Sequence, residues 1–318
     1  MRAVTVARPG GPEVLHVGVV DDPAPGAGEL LIDVRATGVN RADLLQRAGG
    51  YPPPPGASRI LGLEAAGVVV DLGPDTTGPP VGTRVMALLA GGGYAERVAA
   101  PGGQVMPVPD GMPMTDAAAL PEAFLTAWLS LRRLSSLAAG ESLLIHAAAS
   151  GVGLAAGQIA GALGATTLGT IRTPGKAGAV ADVGVTPILV GPDGRFADAV
   201  RDATGGHGAD VVLDMVGAAY WDETVAALAP GARVSVIGLL GGSSARVELG
   251  ALMRRQATVA FSTLRARGVD EKSDLVAEFA RWAGPRFAAG ELAPSVDRVM
   301  AIDDVADAHR LMESNANT

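Results

Sequence analysis

Two stretches of this 318-residue chain hold residue types that could do chemistry. One is Ser150-Gly151-Val152-Gly153, which follows the apolar run SLLIH (142–146) and opens a helical pattern. Small residues there let an anion approach the backbone. A helix start adds unpaired N–H groups and the positive end of the helix dipole. The other stretch is AGGYPPPPGA (48–57), where four prolines follow Tyr51, one of only three tyrosines. Proline fixes φ and lacks an N–H, so this stretch forms neither helix nor inner strand. It can instead hold Tyr51 on a stiff loop, at a low entropic cost.

The first stretch departs from the dinucleotide pattern G-x-G-x-x-G, whose three positions read Ala148, Ser150 and Gly153. Its context supplies what the letters lack: a strand before it, a helix after it, and a series of such units beyond. The bland reading is a tight glycine-rich turn. The second strand of the series ends in GTIRTPGK (169–176), where an acid would accept from the ribose hydroxyls of NAD. No acid occurs before Asp182. Thr170, Arg172, Thr173 and Lys176 stand there instead, two hydroxyls and two cations that suit a 2′-phosphate. Lys176 is one of only two lysines. The expected cofactor is NADPH.

These residues need elements to position them. Up to about Asp110 the chain reads as short strands between Gly/Pro turns, with one helix near Arg41–Ala48. That implies an antiparallel, partly barrel-like β region. After Met114 comes a helical stretch, Thr115–Leu134, broken at Pro121, and then strands and helices alternate. Strands are expected at 142–146, 166–171, 187–190, 210–215, 233–238 and 258–262. Apolar strands separated by helices imply a parallel, doubly wound sheet. The tail carries a long helix near Lys272–Ala289, a strand Asp297–Ala301 and a helix Asp304–Ser314. The tail packs back on the first region in this reading. The boundaries expected are 1–120, 121–265 and 266–318.

Composition removes several classes. Cysteine is absent, which excludes disulfides, thiolate catalysis and Cys-bound metal. The net charge is −8 and the cations are scattered, so no nucleic-acid face is expected. No apolar run is long enough for a membrane span or a signal peptide, and a cytoplasmic protein is expected.

Several stretches together resemble one family: GVNRADLLQRAGGYPPPPG, ILGLEAAGVV, GGGYAERV, ALPEAFLTAW, HAAASGVG and GAAYWDETVAALAPGARVSVIGLLGG. The chain resembles the quinone oxidoreductase (zeta-crystallin-like) branch of the medium-chain dehydrogenase/reductase superfamily. Within it, NRADLLQR, the proline loop, SGVG and the Tyr-Trp pair are similar to the tumour-suppressor-inducible quinone oxidoreductase subgroup. The resemblance implies an α/β fold, a Rossmann domain inserted in a GroES-like β-rich catalytic domain, and a homodimer joined through the Rossmann sheet edge. It implies hydride transfer from NADPH to a quinone, or to another activated carbonyl or alkene such as an enoyl thioester. A non-enzymatic NADPH-binding role is the remaining alternative.

Zinc members carry a Cys ligand and a Gly-His-Glu motif, whereas this chain has no Cys and reads Gly62-Leu63-Glu64. One carboxylate cannot replace three or four ligands, so a metal-free enzyme is expected. His146, at a strand end, reads as a hydrogen-bonded structural histidine. By resemblance, Asn40 faces the cleft and donates to a carbonyl, while an asparagine there also caps a helix well. Tyr51 either donates a proton or packs. Thr126 lies beside the nicotinamide, as does the loop of Gly238, Leu239 and Leu240, and Thr263, Leu264 and Arg265 lie near the carboxamide. Val190 stands where many relatives have a tyrosine, which puts more weight on Arg172 and Lys176. Relatives also continue past MESNANT with Gly-Lys and an apolar strand.

Overall fold

A computed structural model describes residues Met1–Asn317, which divide into two compact units. The first runs from Met1 to Leu125 and resumes at Leu264; the second is Thr126–Thr263.

In the first unit β1 (Arg2–Val6) pairs antiparallel with β2 (Leu15–Val19). Next come β3 (Glu29–Ala36), helix α1 (Arg41–Arg47), β4 (Glu64–Leu72), β5 (Arg84–Leu88), β6 (Arg97–Pro101) and β7 (Val105–Pro107). Strands β3 to β7 form one antiparallel sheet in the order β6-β3-β4-β5-β7. Leu30, Ile32, Ala65, Val69, Val85 and Ala87 alternate inward from it and make its core. Gly67 has no room for a side chain, since a Cβ would sit 2.1 Å from the Asp33 carbonyl oxygen.

Two short helices follow, α2 (Met114–Ala117) and α3 (Pro121–Trp128). The expected break at Pro121 is where α3 starts, because proline is tolerated in a first turn but not inside a helix. Past Trp128 the backbone widens into a π-type turn over Leu129–Leu134, and the Ser130 hydroxyl donates to the Thr126 carbonyl at 2.9 Å.

The second unit alternates strictly. Its elements are β8 (Ser142–Ile145), α4 (Gly151–Ala162), β9 (Thr166–Ile171), α5 (Ala177–Asp182), β10 (Thr186–Leu189) and α6 (Ala197–Ala203). Then come β11 (Ala209–Asp214), α7 (Trp221–Ala227), β12 (Leu228–Val236), α8 (Leu249–Arg255) and β13 (Thr258–Phe261). All six strands are parallel, in the order β10-β9-β8-β11-β12-β13. The order reverses between β8 and β11, and ligands of such sheets bind outside the carboxyl ends at that reversal.

The first unit resumes with α9 (Val269–Ala288) and α10 (Val305–Ser314). Phe279 and Phe287 of α9 pack edge-on and tilted around Phe124 of α3. The expected strand Asp297–Ala301 does not form. The segment is irregular and Val299 is 66% exposed. An extended run becomes a strand only when its N–H and C=O groups pair along a ladder, and no described strand is paired with this one.

Candidate active site

The glycine loop is built at the carboxyl end of β8. Ser150 caps α4 and accepts from the Gly153 N–H at 3.1 Å. The N–H groups of Gly151 and Val152 have no partner inside the helix and stay available to an anion. Gly153 must be glycine, because a Cβ there would lie 2.5 Å from the Ala148 carbonyl oxygen. The helix therefore starts hard against the strand end. The Ser150 hydroxyl also meets the Met215 sulfur at 3.1 Å, which ties the loop to the end of β11. There Asp214 closes the turn by accepting from Val216 and Gly217 N–H at 2.7 and 3.0 Å, while its second oxygen is buried without a hydrogen-bond partner among the described residues. Gly238, Leu239 and Leu240 pack on that turn, with Leu240 N–H donating to the Met215 carbonyl at 3.2 Å. Loops after β8, β11 and β12 thus converge at the strand-order reversal.

Arg172 and Thr173 are exposed just past β9, and Lys176 is half-buried in the following turn. Thr170 is a correction. It is fully buried, and its hydroxyl accepts from the Ala147 N–H and meets His146 Nδ1, both at 3.2 Å. An inward position on β9 leaves it nothing to offer a phosphate. His146 Nε2 lies 2.8 Å from the Thr224 hydroxyl, which itself donates to the Tyr220 carbonyl. Nε2 therefore carries the proton and Nδ1 accepts from Thr170. Burial pushes this histidine down to about 4, so it stays neutral, as a structural histidine should. Thr126 on α3 is partly exposed, Thr263 is exposed, and Leu264 is buried at 5% exposure.

The first unit gathers a second set. Helix α1 starts at Asn40, whose backbone N–H donates to Asp43 Oδ2 at 2.8 Å, the reciprocal half of a capping box. The Asn40 side chain instead donates from Nδ2 to Glu64 Oε1 at 2.7 Å. Glu64 Oε2 accepts from the Glu122 backbone N–H at 2.9 Å. Both oxygens of the one acid left from the zinc motif are thus taken. Gly38 packs so closely that a Cβ would stand 2.0 Å from Glu64 Oε1. Burial, opposed by those two donors, raises Glu64 to about 7. Asp43 accepts further from Gly62 N–H at 3.0 Å and Tyr94 hydroxyl at 3.2 Å, and burial raises it to about 6. Behind it Tyr94 meets His309 Nε2 at 3.2 Å, and Arg47 meets His309 Nδ1 at 3.1 Å. Arginine only donates, so the chain of donors runs Arg47, His309, Tyr94, Asp43. It fastens α10 to α1.

Tyr51 is partly exposed on its proline loop. The Arg265 guanidinium sits 5.3 Å from its ring centre, a cation–π distance. Arg265 Nε donates to the Ala90 carbonyl at 2.8 Å and Nη1 reaches the Tyr51 carbonyl at 3.4 Å, while Nη2 is buried with no hydrogen-bond partner among the described residues. Of the residues expected at the site, Asn40 joins this buried cluster and Tyr51 and Arg265 contact each other, whereas sequence reasoning singled out neither Glu122, Lys272 nor Gly38. The one available signal was the rarity of lysine, since Lys272 is 4% exposed.

A family model described as an alcohol dehydrogenase GroES-like domain matches residues 26–110, and one described as a zinc-binding dehydrogenase matches 151–281. A quinone oxidoreductase of Rattus norvegicus is 30% identical over 314 residues, covering 97% of this chain and 93% of the relative. The chain belongs to the medium-chain dehydrogenase/reductase superfamily. Erythronolide synthase EryA2 of Saccharopolyspora erythraea is 41% identical over 219 residues, 66% of this chain, though the match spans only 6% of that synthase. The structure of mycobacterial Rv1454c complexed with NADPH matches with a TM-score of 0.90 and 31% identity, covering 100% of this chain and 98% of the other. Within this superfamily the chain does not fit a zinc site. It has no cysteine, Leu63 is buried at the histidine position, and Glu64 is fully engaged. Among the described residues, no group of three or more His, Cys, Asp and Glu is placed to hold a metal ion. The glycine loop does fit a nucleotide, since its Gly153 leaves no space for a side chain and its helix-start N–H groups are unpaired inside the helix.

Proposed function

We propose that the protein is a zinc-independent, NADPH-dependent reductase of quinones, within the tumour-suppressor-inducible quinone oxidoreductase subgroup. The observation that carries this is Glu64. Locked by Asn40 and Glu122, it serves as a clamp and leaves no ligand set for a Lewis acid. A quinone needs none, because it is already a strong electrophile. The solved relative complexed with NADPH, and the one named a quinone oxidoreductase, support the reading. NADPH supplies the hydride. Ser150–Gly153 would hold its pyrophosphate on the α4 N–H groups, Arg172, Thr173 and Lys176 its 2′-phosphate, and Gly238–Leu240 would border its nicotinamide end. Thr126, Thr263, Leu264 and Arg265 would line the same end of the cofactor. Tyr51 and Asn40 then meet the substrate oxygen, Asn40 through the N–H that Glu64 does not use.

A second reading is an enone or enoyl-thioester reductase, favoured by the 39% identity over 235 residues to a polyketide synthase component of Streptomyces venezuelae. That reaction needs a proton at carbon, whereas a hydroquinone anion takes its proton from water. A Tyr51→Phe variant separates the two. Quinone turnover is expected to fall by no more than about threefold, and enone turnover by about a hundredfold, the scale of a lost general acid. Equal small losses on both substrates would leave Tyr51 a packing residue.

We also infer a homodimer through the β13 edge. Phe261 is 72% exposed there, and Leu249 and Met253 of α8 are 74% and 78% exposed. A monomeric mass by light scattering at micromolar concentration would contradict it.

A further inference from the structure

We propose that Arg265 is the positioning residue of Tyr51, pinning its loop by the carbonyl and facing its ring with a cation that steadies the phenolate left after proton transfer. This rests on the reductase reading above, at the step where an enone needs a proton. The need for such a residue follows from the loop. Residues 52–55 are prolines without a backbone N–H, so that stretch donates to nothing around it. Only carbonyls remain to fix it, and a carbonyl needs a donor. The Pro54 carbonyl takes the Ala57 N–H at 3.1 Å, which shapes the loop without anchoring it. The anchor is Arg265, 214 residues after Tyr51. Its Nη1 reaches the Tyr51 carbonyl at 3.4 Å and its Nε donates to the Ala90 carbonyl at 2.8 Å. One planar fork thus ties the proline loop to the turn after β5. That turn already packs against the far side of the loop, because a Cβ on Gly91 would lie 2.6 Å from the Ser58 carbonyl oxygen. Arg265 is 4% exposed and has little room to swing away.

The other half of the role is electrostatic. The guanidinium lies 5.3 Å from the Tyr51 ring centre, and its hydrogen bonds go to two carbonyls and not to a carboxylate. Its charge is therefore not neutralised by a bonded anion, and a guanidinium keeps its proton throughout the working pH range. Facing a phenol it makes a cation–π contact. Facing a phenolate it gains a Coulomb attraction between full charges, which is larger. The contact strengthens as the proton leaves, which is what lowers a barrier instead of only holding the resting state. The surrounding groups oppose this. Burial, then Glu122, raise the Tyr51 hydroxyl, and Arg265 lowers it. Burial lowers Arg265 itself, while Tyr51, Asp43 and Glu122 raise it, and Lys272 of α9 stands in the same field. Once hydride has reached the β-carbon of an enone, leaving the cofactor oxidised, the α-carbon takes the Tyr51 proton. The O–H electron pair stays on the phenolate oxygen beside Arg265. Tyr51 is partly exposed and takes a proton back from water. One hydride and one solvent proton are consumed per turnover.

The test uses the full chain as wild type, Arg265→Met and Arg265→Lys, each also combined with Tyr51→Phe. In the ligand-free protein, an alkaline titration read by ultraviolet absorbance, with the Tyr51→Phe partner subtracted, isolates the Tyr51 phenolate from Tyr94 and Tyr220. Arg265→Met is expected to lower the phenolate fraction at a given pH by about tenfold, the scale of an opposite charge lost at this distance. Enone turnover should fall about tenfold or more in Arg265→Met. The same change in a Tyr51→Phe background should cost under about threefold, because the group it acts through is gone. Melting curves taken alongside show that the variants are folded. The cycle repeated with Arg265→Lys, which keeps the charge at neutral pH without the planar fork, serves if the Met variant does not fold. An unchanged Tyr51 titration in Arg265→Met, or equal losses of turnover in both backgrounds, overturns the proposal. A wild type that reduces quinones but no enone overturns it too and leaves the quinone reading standing. A wild type that reduces neither overturns the reductase reading, while the ligand-free titration still reports on the Arg265–Tyr51 contact.

Discussion

Replacing Gly38 by alanine is expected to destabilise the first unit by about 2–4 kcal/mol, the scale of buried polar groups left unpaired plus local overpacking. The added Cβ would stand 2.0 Å from Glu64 Oε1, 2.8 Å from its Cδ and 3.2 Å from the Ala118 carbonyl oxygen. Glu64 is 3% exposed and held by Asn40 at 2.7 Å and Glu122 N–H at 2.9 Å, so it cannot swing away without breaking both bonds. A double-mutant cycle checks the cause. In a Glu64→Ala background the same Gly38→Ala change should cost under about 1 kcal/mol, because the clash partner is gone. Additive effects in urea denaturation would place the cost elsewhere.

Gly153→Ala carries the second large effect. Its Cβ would meet three backbone atoms of Ala148, the oxygen at 2.5 Å and the carbonyl carbon and Cα at 2.8 Å. Backbone at the end of a central strand does not yield as a flexible side chain does. The start of α4 must move, which loses the Ser150 cap, worth about 1 kcal/mol, and adds an overpacking cost of about 1–3 kcal/mol. The N–H groups that would receive the pyrophosphate move with it. Binding of NADPH, followed by its fluorescence, is expected to weaken at least tenfold, a loss of about 1.4 kcal/mol or more. Unchanged affinity would show that the loop is not the phosphate cradle.

What the sequence made legible was local. The β–α alternation after Ser142 reflects periodicity along the chain, and all six parallel strands lie where apolar runs predicted them. Proline punctuation marked the start of α3 in the same way. The glycine loop was readable because its strand, turn and helix are neighbours in sequence. The acid cluster was not. Asp43, Glu64, Glu122 and Lys272 come from four elements spread over 230 residues, and no spacing rule links them. Thr170 was misread because a hydroxyl at a strand end can face a ligand or the core, and only His146 on β8's end decides which. The expected strand at 297–301 shows the same limit, since its fate depends on a pairing partner and not on its own residues.

The Asn40 and Tyr51 questions have also changed form. Asn40 neither simply caps α1 nor simply faces substrate, for its side chain first serves Glu64. Tyr51 is placed by more than its prolines, because Arg265 lies over its ring and bonds its carbonyl.

The most direct test of a metal-free NADPH:quinone reductase is stopped-flow oxidation of NADPH by chelator-treated protein, with 1,4- and 1,2-quinones and an enoyl thioester, run in parallel with NADH. The account predicts quinone reduction that survives chelation and a clear preference for NADPH. Loss of turnover on chelation, or reduction of the thioester but of no quinone, would contradict it. Equal use of NADH would remove the role given to Arg172 and Lys176.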